Sequence, residues 1–256
     1  MFGPCMGDEQ YAALKVWEQM REVKLECHGR KTFPISLTYM SKLEYLDLTC
    51  NSIREIPDEI RRLASLKCLR LGENELSNLP PGIGKLKNLR ALILENNLLT
   101  SIPPEIGQME KLKFLNLRKN RLRTLPPQIC ELKSLNTISI GLNFLSHLPK
   151  DIGNLKELRH LLLARNRLRR IPISLSRLCV SGQLRTLDLD FNHPLGKELA
   201  QGSSRGTIRM VSRIFFACCA VRSDLASLSM ETQRLIIDKA FGKSMYADFA
   251  GAEINF

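Results

Sequence analysis

Aromatic residues are scarce: rings make up 6% of the 256 residues, with a single tryptophan. A core so poor in rings must be aliphatic, which points away from sandwiches and barrels filled with Phe and Trp. No apolar stretch approaches 18 residues, so no membrane-spanning helix is expected. Met1–Gln10 lacks the basic-then-apolar pattern of a signal peptide, and no N-x-S/T sequon occurs. The cysteines at 5, 27, 50, 68, 130, 179, 218 and 219 include no CxxC pair and none of the clusters that flank extracellular repeat arrays. A reducing compartment is therefore expected: the cytoplasm, with the nucleus or cytoskeleton as alternatives.

Signatures of chemistry are also missing. None of His28, His147, His160 and His193 sits in HExxH or beside a cysteine pair at metal-ligand spacing. Gly242-Lys243-Ser244 echoes the end of a phosphate loop, but Ile237 stands where the first glycine belongs. There is no GxSxG and no glycine-rich dinucleotide turn. The expectation is a non-enzyme with no cofactor, metal or small-molecule substrate.

What the sequence has is positive charge and a period. The formal net charge is +12, of which residues 197–256 hold only +2. Most of this excess reads as a solvated surface, although a basic balance favours acidic partners. Asparagines recur every 23 residues, at 51, 74, 97, 120, 143 and 166. Around each the same frame returns: Leu43, Leu46, Leu48, Asn51, Ile53, then Leu66, Leu69, Leu71, Asn74, Leu76, and onward from Leu89, Leu112, Leu135 and Leu158. A prolyl pair repeats in step: Ile56-Pro57, Leu79-Pro80, Ile102-Pro103, Leu125-Pro126, Leu148-Pro149 and Ile171-Pro172. After it comes an apolar pair three apart, such as Ile60 with Leu63.

Each part has a physical role. The alternating leucines fit a short strand with its apolar face inward. An asparagine just after the strand can bond main-chain groups of neighbouring turns, as a buried amide must. Proline fixes φ and turns the chain away from the strand side, and the apolar pair fits one helical or 3₁₀ turn on the far side. No unit buries its own apolar edge, so the core comes from stacking.

The pattern frays at both ends. Residues 20–42 form a degenerate unit with His28 at the asparagine position, and Leu184, Leu187, Leu189 and Asn192 make a last strand after a three-residue insertion within Cys179–Gln183. Three segments are expected: a helical N-terminal cap (1–19, with Tyr11, Leu14 and Trp17 at helical spacing), the repeat array (20–195) and a helical C-terminal cap and tail (196–256).

The frame L-x-x-L-x-L-x-x-N-x-L-x-x-[I/L]-P-x-x-I-x-x-L over residues 20–195 resembles the intracellular Ras-group leucine-rich-repeat proteins. The resemblance implies an α/β solenoid, curved, with a parallel sheet on its concave face and short helical or 3₁₀ segments on the convex face. It also implies a protein-docking scaffold or adaptor in signalling.

The period also places a candidate site. The third, fifth, seventh and eighth positions of each unit are expected to point outward from the concave sheet. There Ile93, Phe114, Leu142 and Leu162 are apolar without structural need, with Phe144 after one strand end. Asn116, Arg118, Lys119, His160 and Arg165 stand among them, and an apolar centre with an arginine-rich rim is the composition of a protein-binding hot spot. Nucleic acid is disfavoured, because only Phe144 and Phe191 lie near the basic run at Arg165–Arg170 for stacking.

Weaker features point elsewhere. Cys27 and Cys50 are expected to stack on one ladder, with Cys68 on the next unit; a thiol switch or an adventitious metal site is one reading, and buried or idle thiols are the plainer account. Cys218 and Cys219 fit a helix core in the cap better than a lipid anchor. Ser227, Leu228, Thr232 and Ile236 loosely resemble an elongin-binding box, so a ubiquitin-ligase substrate receptor is one rival reading. A regulatory subunit of a phosphatase or other signalling enzyme is the other.

Overall fold

The computed structural model describes residues 17, 19–169, 171–180 and 183–192. The expected C-terminal cap, Cys218 and Cys219, and the box at 227–236 lie outside them. Of the N-terminal cap, Trp17 and Gln19 are described; both are helical, and Trp17 is 44% exposed.

Eight three-residue strands form one parallel sheet in chain order. They are β1 (Glu22–Lys24), β2 (Tyr45–Asp47), β3 (Cys68–Arg70), β4 (Ala91–Ile93), β5 (Phe114–Asn116), β6 (Thr137–Ser139), β7 (His160–Leu162) and β8 (Thr186–Asp188). Their register advances by one repeat per strand: Tyr45 faces Cys68, Cys68 faces Ala91, and Ala91 faces Phe114. The three-residue insertion is absorbed before β8, where His160 faces Thr186 without slippage.

The middle residue of each strand from β2 to β7, and the leucine or isoleucine just after the strand, are fully buried: Leu46 with Leu48, Leu69 with Leu71, Leu115 with Leu117. Against them pack the apolar pairs of the return segments, Ile60 with Leu63 and Ile83 with Leu86, all at 0% exposure. These segments are 3₁₀ turns, such as Asp58–Arg62, Pro81–Lys85 and Pro104–Gln108. Extended prolines precede them (Pro57, Pro80, Pro103, Pro126), and a second proline opens three of them, where its missing N–H costs no hydrogen bond. The last return differs: Leu175–Val180 is an α-helix, which takes up part of the longer repeat. This is a leucine-lined core built by stacking, as the 23-residue period requires.

The asparagine ladder ties the coils together. Asn74 donates to the Leu48 carbonyl at 2.9 Å and accepts from the Ile53 amide at 3.0 Å, both in the preceding coil. Asn97, Asn120, Asn143 and Asn166 repeat both bonds, and each is buried. Asn192 keeps the same pair to Leu163 and Leu168 despite the insertion.

Just before each asparagine, and before His28 in the degenerate first unit, the chain enters the left-handed region. Cys27, Cys50, Glu73, Asn96, Lys119, Leu142, Arg165 and Phe191 all have φ between 53° and 58°. No glycine occupies this column, so ordinary side chains accept a conformation that costs about 1 kcal/mol or more each. The sharp turn directs the following amide side chain back beneath the strands.

Candidate partner-docking face

The sheet face opposite the core carries the outward residues of each strand. Ile93, Phe114, His160 and Leu162 are half-buried on it. Register separates them more than the sequence spacing implied. Ile93 and Leu162 share one row but are divided by Asn116 and Ser139. Phe114 sits in the neighbouring row, beside Ala91 and Thr137.

Two expected floor residues are already engaged. Asn116 donates to Glu95 Oε2 at 2.7 Å and accepts from the Arg118 amide at 3.1 Å. His160 Nδ1 lies 3.1 Å from the Thr186 hydroxyl.

The remaining residues lie at the edge where the strands end. Lys119, Leu142 and Arg165 are consecutive members of the left-handed column, with Arg118 just before Lys119. Phe144 is 40% exposed, and the Arg167 guanidinium lies 4.7 Å from its ring centroid. Arg165 lies 5.2 Å from the Phe191 centroid. The candidate residues thus divide into a floor (Ile93, Phe114, Asn116, His160, Leu162) and an edge (Arg118, Lys119, Leu142, Phe144, Arg165).

Several residues at outward-pointing positions are nonetheless covered. Asp47, a fifth-position residue, is only 1% exposed. Tyr45 donates to one carboxylate oxygen at 3.1 Å, the Thr49 hydroxyl and amide donate to the other at 2.6 and 3.0 Å, and Arg70 Nε lies 3.1 Å away. Burial alone would raise its pKa, but the Thr49 bonds and Arg70 outweigh burial and hold the carboxyl below its ordinary value. Ser139 is buried because the longer Asn116 and Leu162 shade it from either side. Gly72 and Gly141 are buried too. Alternation fixes which way a side chain leaves the sheet, whereas neighbours 4.7–4.9 Å away decide whether a short one reaches solvent.

Two features were missed by the sequence reading. One is a cleft of about 740 Å³ where β5–β7 begin, lined by Lys113, Phe114, Lys133, Asn136, Glu157 and Arg159 among others. Its signal was a second-position ladder running Arg90, Lys113, Asn136, Arg159, Arg185. The other is the pairing of Arg165 with Phe191 and of Arg167 with Phe144, the latter foreshadowed by the 23-residue offset between Phe144 and Arg167. Cys27 and Cys50 are neighbours on one ladder, and both are exposed, which leaves out burial as the account of this pair. Among the described residues no group of three or more His, Cys, Asp or Glu could hold a metal ion, and no helix is long and apolar enough to cross a membrane.

Sequence comparison matches residues 83–204 to a leucine-rich repeat region and residues 42–63 to a leucine-rich repeat. The chain is a leucine-rich-repeat solenoid. It is similar to a leucine-rich-repeat protein of Leptospira interrogans, at 31% identity and a TM-score of 0.55 over 69% of this chain and 51% of that one. It also matches the ectodomain of the Arabidopsis thaliana membrane receptor kinase GASSHO1/SCHENGEN3, at 30% identity and a TM-score of 0.49 over 61% of this chain and 22% of that one. The solenoid thus spans about half the length of the Leptospira protein and less of the plant receptor. No curated protein matches the chain. Leucine-rich repeats are commonly protein–protein interaction modules and typically lack enzymatic activity.

Proposed function

We propose that this solenoid is a non-catalytic scaffold or adaptor that docks a partner protein or peptide on the open sheet face of β4–β7. One observation carries the reading: Ile93, Phe114 and Leu162 leave apolar surface on a face that folding does not require to be apolar. The core is complete without them, since Leu92, Leu94, Leu115, Leu117, Leu161 and Leu163 fill the opposite side. Apolar side chains on a rigid, hydrogen-bonded platform lose little entropy when a partner covers them, which is how a few residues dominate an interface. The cleft beside Phe114 extends this floor toward the strand starts. An adaptor in the cytoplasm, as the cysteine pattern implies, fits this arrangement.

The test pairs a cross-linked capture of the partner with the double variant Phe114→Ala, Leu162→Ala. Capture should fall roughly tenfold or more, while thermal unfolding stays close to wild type because neither side chain belongs to the core. Unchanged capture would remove the sheet face from consideration.

A further inference from the structure

Charge is not spread evenly along the array. Residues 1–75 carry a net −1, and residues 76–192 carry +11, from 19 basic and 8 acidic side chains. Ion pairing follows the opposite course. All six ion pairs among the described residues fall between Arg21 and Glu75, including Arg21–Glu44 at 3.2 Å and Arg54–Glu75 at 3.1 Å. The first coils neutralise themselves. The later ones do not.

The contrast is sharpest at the edge where the strands end. In the coils of β3 and β4 it presents Glu73, Glu75 and Glu95; in those of β5–β8 the same columns present Arg118, Lys119, Arg121, Arg165 and Arg167, against one acidic residue, Asp190. Two of these arginines are held in place. The Arg167 guanidinium lies over the Phe144 ring and that of Arg165 over Phe191, rings that are 40% and 70% exposed. A guanidinium lying against a ring keeps its N–H edge free, and that planar fork matches a carboxylate. No carboxylate occupies either fork among the described residues: Asp190, whose carbonyl accepts from the Arg165 amide, makes no ion pair with either arginine.

Resting on the docking reading above, we propose that the partner presents an acidic polypeptide segment, and that Arg165 and Arg167, held by Phe191 and Phe144, clamp its carboxylates along this edge. Polypeptide is favoured over nucleic acid because each ring already carries a guanidinium on one face. A base-stacking platform needs those faces free. Carboxylates on an extended segment crossing the coils would meet cations at the ends of β5 and β7, two rungs or about 10 Å apart, with Leu142 and Phe144 on the rung between. The left-handed residues Arg165 and Phe191 place this clamp at the rim of the sheet face, beside the floor.

The probe is a fluorescein-labelled ten-residue polyglutamate, titrated with the full chain at 0.15 M salt and followed by anisotropy. Arg165→Lys with Arg167→Lys keeps the net charge but loses the fork and the stacking, and should weaken binding about tenfold. Phe144→Leu with Phe191→Leu, which leaves both arginines in place, should weaken it in the same direction. Lys85→Gln with Lys150→Gln, on the return segments, lowers the charge by two and should change affinity no more than about twofold. Polyglutamate binding that ignores both edge variants, or that falls as far in the Lys85/Lys150 control, would overturn the clamp. So would a ten-nucleotide oligothymidylate binding more tightly and losing that binding in the lysine variant. The Phe114/Leu162 variant should still bind polyglutamate, so a failed clamp and a failed sheet-face reading give different results.

Discussion

The Asn120 amide nitrogen donates to the Leu94 carbonyl at 2.9 Å across 26 residues of sequence. Its oxygen accepts from the Leu99 amide at 3.0 Å, so a single 5%-exposed side chain satisfies two main-chain groups of the preceding coil. Asn120→Ala would leave both groups buried without a partner. Each such loss costs about 1–3 kcal/mol, and the thermal midpoint of the array should drop by several degrees. Asn51→Ala should cost less, because Asn51 is half-buried under the degenerate first coil. Equal midpoints for the Asn120 variant and wild type would mean that the ladder contributes little to stability.

Close packing between the last return segments sets a second expectation. A Cβ at Gly153 would stand 1.9 Å from the Ser174 carbonyl oxygen, whereas one at Gly72 would stand 3.2 Å from the flexible Cγ of Glu95. Main chain cannot yield as a side chain can, so Gly153→Ala must push two coils apart. We expect it to cost about 3 kcal/mol and Gly72→Ala less than about 1 kcal/mol, read from paired chemical denaturation curves. The reverse order would show that the contact at Ser174 relaxes easily.

Most of the architecture was legible in the residues. The asparagine spacing gave strand order, parallel register and the side of the sheet facing the core, because a fixed period can stack in few ways. The 26-residue step to Asn192 showed where the insertion lies, though not that Leu175–Val180 would become α-helical. The site was legible only as directions. Nothing local marked Asp47 as covered, since its roof comes from Tyr45, Thr49 and Arg70 together. Nor did anything local announce the left-handed column, because Leu142, Arg165 and Phe191 are poor choices for positive φ by their own propensity. Stacking imposes that conformation on whatever residue the column holds.

The covered Asp47 predicts a pH dependence. Its carboxyl pKa is held below the ordinary value, so the folded state binds this proton less readily than the unfolded chain. The resulting stabilisation is fully present above the unfolded carboxylate pKa, near 3.9, and is lost as pH falls through the lower folded pKa. Asp47→Asn should lower the thermal midpoint at neutral pH, by an amount equivalent to about 1–2 kcal/mol. The gap between variant and wild type should narrow as the pH is taken below about 4. A gap constant from pH 7 to pH 3 would show that the carboxylate charge does not contribute.

The stacked thiols give the last prediction. Cys27 and Cys50 occupy the same column in adjacent coils, with φ of 55° and 58°. The Cys27 thiol is in hydrogen-bonding contact with that of Cys50, which together with slight desolvation raises its pKa. Neighbouring parallel strands put such residues about 4.8 Å apart, within the Cα separation that a disulfide spans. Both are exposed, whereas burial pushes the Cys130 thiol up to about 11. Under glutathione disulfide the two should therefore give up their protons and two electrons together and close a bond, releasing two glutathione thiols. Peptide mapping should find Cys27 joined to Cys50 while Cys130 remains reduced, and Cys27→Ser should leave Cys50 carrying a mixed disulfide. If both thiols instead carry glutathione and never join, the left-handed turns hold the two sulfurs at an angle that a disulfide cannot bridge.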